Sequence, residues 1–294
     1  MRALRAWPAL VVGATALAGT AVALAQDPAV PGGNYGGGAV LRPPASIEGA
    51  GNMLIGLRVT GTDRLRINAS LGARCESPRF SIRSTLESGG TFADSGTRTT
   101  RLPGGRRVRT SFRVQGTISG AVASGTARVS NTVRREGRRT RTCTSGTVRW
   151  SARRSTGDVG APGVVPGVPM YGTTAQRLDG PRRAIALRVS ADGAKLERAL
   201  YDITLKCPRA TNTDVHDAPR RNLAIAADGT FSDVERFRYR AARTIQYDTE
   251  RFSGRIGAGG ASGTFSIVSR LANRDTGRTI GTCRTGTVAW TAAP

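Results

Sequence analysis

Arginine is the side chain in this sequence best equipped for chemistry. Arg134, Arg135, Arg138, Arg139 and Arg141 flank a Glu136-Gly137 turn, and Arg106, Arg107 and Arg109 follow the turn at Pro103-Gly104-Gly105. In the second half Arg236, Arg238 and Arg240 alternate with Phe237 and Tyr239. A guanidinium is a planar fork of donors that stays charged and pairs bidentately with phosphate or carboxylate oxygens. Gathered at hairpin tips or along one strand face, these arginines are candidates for contact with an anion. A solvated, solubilising face is the competing reading.

Other reactive groups are sparse. His216 is the only histidine, in "TNTDVHDAP" between Asp214 and Asp217. The interval Cys207 to Phe231 is seven residues longer than its counterpart Cys75 to Phe92. That segment could hold a divalent ion or a base beside a carboxylate, but an inserted polar loop explains it as well. Asp63, Asp94, Asp192 and Asp233 recur at matching positions in the two halves and read as turn residues bonding their own backbone. Paired carboxylates for glycoside hydrolysis would need a cleft and one raised pKa. There is no Cys-x-x-Cys, so a zinc site is not expected. The residues assign no catalytic group, no metal and no cofactor.

These side chains sit on a repeated framework. "CTSGTVRW" at 143–150 and "CRTGTVAW" at 283–290 agree at five of eight positions. "IGLRV" from Ile55 answers "IALRV" from Ile185, "GTFAD" from Gly90 answers "GTFSD" from Gly229, and "PGGNYG" from Pro31 answers "PGVPMYG" from Pro166. The chain is a duplication. Within each copy the hydrophobic period is two: Ile55, Leu57 and Val59 share one parity, as do Phe112, Val114 and Ile118, with Gly-rich turns between such runs. The expected fold is all-β, two tandem antiparallel sandwich or barrel-like domains at 45–153 and 171–294, each with one disulfide. Pro/Gly-rich segments at 26–44 and 154–170 read as linkers.

The first 25 residues read as a signal peptide: Arg2 and Arg5 precede an apolar run from Ala9 to Leu24, and Ala23-Leu24-Ala25 suits cleavage before Gln26. The expected address is therefore secreted or extracellular, the cell wall included, with no membrane span in the mature chain. Removing Arg2 and Arg5 from 44 basic residues leaves 42 against 20 acidic ones, a net +22. Aromatic residues are 5% of the chain, so specific nucleic-acid recognition is not expected. Four cysteines in an exported chain imply disulfides. If the duplication keeps pairs within copies, they are Cys75–Cys143 and Cys207–Cys283, one of three connectivities. Gly146 and Gly286 then mark a bend that turns both the cysteine and the following Trp150 or Trp290 inward, the tryptophans as core plugs.

The ending C-x-[ST]-G-T-V-x-W, after an A-S-G-T strand and a G-T-F-x-D turn, resembles a β-rich unit of exported actinobacterial proteins of unassigned function. The resemblance covers both copies, supports export, an all-β fold and a disulfide per unit, and implies no ligand. The functional expectation is a secreted, non-catalytic protein that binds anionic envelope or extracellular polymers through arginine-rich hairpins, its two modules gaining avidity on a Pro/Gly tether. The alternatives are a small-ligand carrier in a barrel interior, requiring a pocket that Trp150 and Trp290 leave unfilled, and a cryptic hydrolase.

Overall fold

Alternation of aliphatic and polar residues commits each copy to strands with one dry and one wet face. The computed structural model describes residues 27–39, 52–72, 79–102, 105–134, 140–161, 163–208, 213–215, 220–240 and 243–294. The expected leader, Cys75, Arg135, Arg138, Arg139 and His216 lie outside the described residues. The first copy contains β1 (Asn34–Ala39), β2 (Met53–Val59), β3 (Arg64–Leu71), β4 (Arg79–Thr85), β5 (Thr91–Leu102), β6 (Arg106–Ser119), β7 (Val122–Arg134), β8 (Arg141–Thr144) and β9 (Val148–Arg153). The second contains β10 (Pro169–Arg177), β11 (Arg182–Val189), β12 (Lys195–Tyr201), β13 (Ile203–Leu205), β14 (Thr213–Val215), β15 (Arg220–Ala224), β16 (Thr230–Arg240), β17 (Thr244–Gly257), β18 (Gly260–Asn273), β19 (Thr279–Arg284) and β20 (Val288–Ala293). Among the described residues there is no helix, and so none long and apolar enough to cross a membrane.

The two sheets have one topology. The first runs β4-β3-β2-β1-β9-β7-β6-β5 with β8 beside β7, and the second β15-β12-β11-β10-β20-β18-β17-β16 with β19 beside β18. Each curls into a nearly closed, all-antiparallel barrel around its own apolar core. Among the described residues the β13–β14 hairpin has no counterpart in the first copy.

The repeated ending is a one-residue bulge. Thr144 pairs with Ser130 and Val148 with Ala127, so four steps on one strand oppose three on β7; Arg284–Val268 and Val288–Phe265 repeat this. Gly146 and Gly286 take positive φ there, 70° and 68°. The extra residue restores cysteine and tryptophan to one face. The slipped ladder is mended by a hydroxyl: the Val129 amide donates to Ser145 Oγ at 3.0 Å and the Ile267 amide to Thr285 Oγ1 at 2.8 Å. That is why the third motif position is Ser or Thr. Cys207 and Cys283 are bonded across 76 residues, and Cys143 is also disulfide-bonded. Trp150 and Trp290 are 2% and 1% exposed, each over a cross-strand glycine pair: Gly116–Gly125 and Gly254–Gly263.

The barrels are fused rather than tethered. The outward faces of β1–β4 and β10–β12 meet, burying Leu54 against Ala184, Ala186 and Leu200, with Tyr171 alongside. Arg79 of the first barrel and Arg183 of the second both bind Asp202, the latter at 2.8 Å. Asn68 donates to Leu178 O at 3.3 Å and Ser81 to Asp179 Oδ2 at 3.0 Å. At the centre backbone meets backbone: a Cβ on Gly36 would lie 1.9 Å from Gly172 O. β1 therefore falls inside 26–44, which composition marks as linker, because strands that touch through their main chains need glycine where packing elsewhere needs side chains. Likewise β10 begins within 154–170; the Arg154 amide still donates to Ala121 O of the first barrel at 2.9 Å, while further on the Ala258 amide of the second barrel donates to Ala161 O at 3.2 Å and the Gly259 amide to Val159 O at 3.0 Å. Avidity from a loose tether is thus replaced by a fixed pair. A Gly36→Val chain is expected to lose about 1–3 kcal/mol or more from overpacking at the seam. Denaturant titration should show it, together with faster proteolysis near 155–168; unchanged stability and cleavage would place the seam elsewhere.

Candidate anion-binding face

Strand alternation sends one parity of β5–β8 into the barrel and the other into water. Register then decides which outward residues become neighbours. Arg107 stands beside Arg101 on β5 and Arg134 on β7, forming a row of three guanidiniums across adjacent strands. The next row holds Thr99, Arg109, Thr132 and Thr142; the next Thr97, Ser111, Ser130 and Thr144. Ser95, Arg113 and Arg128 follow, and then Gln115, Thr126 and Arg149. Neighbouring strands lie about 4.8 Å apart and successive rows about 6.8 Å apart. The arginines of these rows are exposed.

Among the described residues of β5–β8, no carboxylate projects from this face. The six guanidiniums of Arg101, Arg107, Arg109, Arg113, Arg128 and Arg134 make no ion pair among the described residues. They repel one another, and an anion laid across them would relieve that repulsion.

The second barrel repeats the theme with a variation. Its equivalent face carries Arg236, Arg238 and Arg240 on β16, Arg251 on β17 and Arg270 on β18, again without a carboxylate. Tyr247 lies in register between Arg238 and Arg270, whose guanidinium carbons stand 5.6 Å and 4.4 Å from its ring centroid. These cation–π contacts hold both arginines flat on the sheet.

The acids of β16 and β17 face the other way. Asp233, Glu235, Asp248 and Glu250 take the inward parity, with Glu235 directly opposite Glu250. The Tyr201 hydroxyl donates to Glu250 at 3.3 Å, and Gln246 donates to Asp248 at 2.8 Å. Burial, reinforced by Asp248, Glu250 and Glu235, raises the Tyr239 pKa above the usual phenol value. Among the described residues the first barrel has no such cluster at the matching place: Phe112 stacks on Phe80 at 4.7 Å and Gly96 makes room for its ring. Among the described residues no group of three or more His, Cys, Asp or Glu is placed to hold a metal ion.

The expected site residues thus divide. Arg107, Arg109 and Arg134 share the outer face of the first barrel, and Arg236, Arg238 and Arg240 that of the second. Arg106 and Arg141 take the opposite parity. Arg113 joins the first group on the same strand, and Arg101, Arg128 and Arg149 only through register. Parity along β6 could have found Arg113, four residues beyond Arg109, whereas the cross-strand partners are invisible without the pairing. Of the aspartates read as turn residues, Asp192 is one: it accepts from Ser190 Oγ and the Ala194 amide, bonds that lower its pKa. Asp94 and Asp233 do not sit in a turn, because the turn ends at Gly90 or Gly229 and the strand is already running, although Asp94 Oδ1 does accept from the Ser95 amide at 2.7 Å. The turn before β16 is bonded instead by Asp228, which accepts from the Thr230 amide at 3.0 Å.

A cleft of about 480 Å³ opens where β4 meets β5, lined by Arg83, Thr85, Glu87, Phe92 and Asp94 among others. Another, of about 430 Å³, lies beside Gln176, Lys206 and Thr285. Both open to solvent rather than into the barrel interiors filled by Trp150 and Trp290.

No known family matches the sequence, and no curated protein does. Among solved structures, a crystal structure from Nitrosomonas europaea provisionally assigned as AttH is similar over 88% of this chain and 91% of that chain, at 11% identity and a TM-score of 0.20. Likeness at that level carries no functional argument.

Proposed function

We propose that the protein is an exported, non-catalytic binder of anionic polymers of the cell envelope or its surroundings, held across the outer face of β5–β8. The observation that carries this reading is the segregation of charge by strand face. Both copies keep arginine, serine and threonine outward on the long hairpins, while the carboxylates of β16 and β17 point inward. A face meant only to keep a protein soluble gains from interspersing both signs, whereas the described residues of this one project no acid. The second barrel's equivalent face adds a further basic surface at a fixed distance, because the barrels share a seam. Described cysteines are all in disulfides, in keeping with an oxidising address.

The test reverses charge on the face and elsewhere. Arg107→Glu, Arg109→Glu and Arg113→Glu together are expected to weaken retention on purified cell walls roughly a hundredfold, taking about 1 kcal/mol for each basic residue at an anionic surface. Reversing Arg64, Arg83 and Arg278, which are exposed but lie off the face, changes net charge equally and should cost only a few-fold. Equal losses in both triples would reduce the face to bulk charge.

A further inference from the structure

We infer that the polymer is a chain of phosphodiesters joined by short polyol units, lying along β6 with one repeat per row of the sheet. This rests on the reading of β5–β8 as an anion-binding face and adds the chemical class of the ligand. Spacing is the first argument. Outward residues on one strand repeat about every 6.8 Å. A three-carbon phosphodiester has six backbone bonds per repeat, twice those of a peptide residue, and therefore spans about 7 Å when extended. Arg107 and Arg109 occupy successive rows. After one row of hydroxyls come Arg113 with Arg128, and then Arg149. A polymer in step with the sheet presents a phosphate to a guanidinium in four of those five rows.

The intervening groups argue the same way. Thr97, Ser111 and Ser130 fill the row without arginine. Hydroxyls both donate and accept, which suits the free hydroxyls of a polyol and the ester oxygens of a phosphate. At the end of the array three guanidiniums stand abreast, Arg101, Arg107 and Arg134. A planar carboxylate is satisfied by one fork, whereas a tetrahedral phosphate directs oxygens to more than one. The face carries no aromatic side chain, so nucleobases would find nothing to stack on. A base-free phosphate chain fits better than a nucleic acid.

Four synthetic probes of matched charge separate these ideas on the mature protein in about 0.15 M salt: oligo(glycerol phosphate), oligo(hexanediol phosphate), oligogalacturonate and oligothymidylate. Oligo(glycerol phosphate) is expected to bind roughly tenfold tighter than each of the others, and Arg107→Glu with Arg109→Glu and Arg113→Glu to remove that preference. If oligogalacturonate or oligo(hexanediol phosphate) binds as tightly and the same reversal abolishes both, the face binds anions but the phosphodiester register is wrong. Tighter binding of oligothymidylate would make the ligand a nucleic acid and overturn the proposal. Binding of no probe, or binding indifferent to the reversal, would overturn the anion-binding reading with it.

Discussion

Replacing Cys207 and Cys283 by alanine is expected to lower the stability of the second barrel by about 4 kcal/mol. The bond closes a loop of 76 residues, and loop-closure entropy of that length accounts for the figure. The bridge also does local work. It ties the end of β13 to β19, the short strand that otherwise hangs on β18, and the Lys206 and Arg284 backbones exchange hydrogen bonds of 2.8 and 3.0 Å beside it. Without it, β19 loses its second anchor and the bulge at Thr285 is free to slip. The fused barrels should then melt unevenly, the second before the first. Differential scanning calorimetry of the double variant should resolve an early transition absent from the parent chain. A single transition shifted by less than a degree would mean that barrel packing alone closes the unit.

Trp290→Ala should cost a similar amount, about 3–5 kcal/mol, for a different reason. The indole is 1% exposed and stacks on Phe252 at 5.4 Å and on Phe231 at 6.2 Å, with Phe252 continuing to Tyr201. Its six-membered ring rests on Gly254 and Gly263, where a Cβ would come within 2.6 Å of Cζ2. Backbone cannot move into the space that alanine leaves, because those two strands are locked in register with each other and with β20. The cavity therefore persists, and its cost approaches the upper end of the range. Trp150→Ala should behave alike in the first barrel, where Gly116 and Gly125 form the seat. Urea titration followed by near-ultraviolet circular dichroism measures both; a loss under 1 kcal/mol would show that the indole lies beside the core rather than in it.

How much of this was readable without coordinates depends on the range of the interaction. Alternation along Ile55, Leu57 and Val59 is local, and so is a repeated phrase; both report strands and a duplication directly. The bend at Gly146 was readable because cysteine and tryptophan had opposite parity and a glycine stood between them. The seam was not. Gly36 and Gly172 approach through their main chains, and a strand without side chains resembles a linker. Nor was the extent of the arginine face readable, since Arg101 and Arg134 come beside Arg107 only through the pairing of three strands. The turn reading of Asp94 and Asp233 failed for a related reason. Position within a phrase does not say where the turn ends, and both lie on the inward side of a strand with Phe92 and Phe231.

We propose that exposed guanidiniums in fixed rows, and not net charge, hold a polyanion. The most direct test is the dependence of affinity on salt for the parent chain and for a chain with Arg101, Arg107, Arg109 and Arg134 changed to glutamine. If those rows are the contacts, the parent's log affinity for oligo(glycerol phosphate) falls with log salt at a slope of about −3 to −4, and each arginine removed flattens it by about 0.7. A parent and a variant with the same slope would contradict the account.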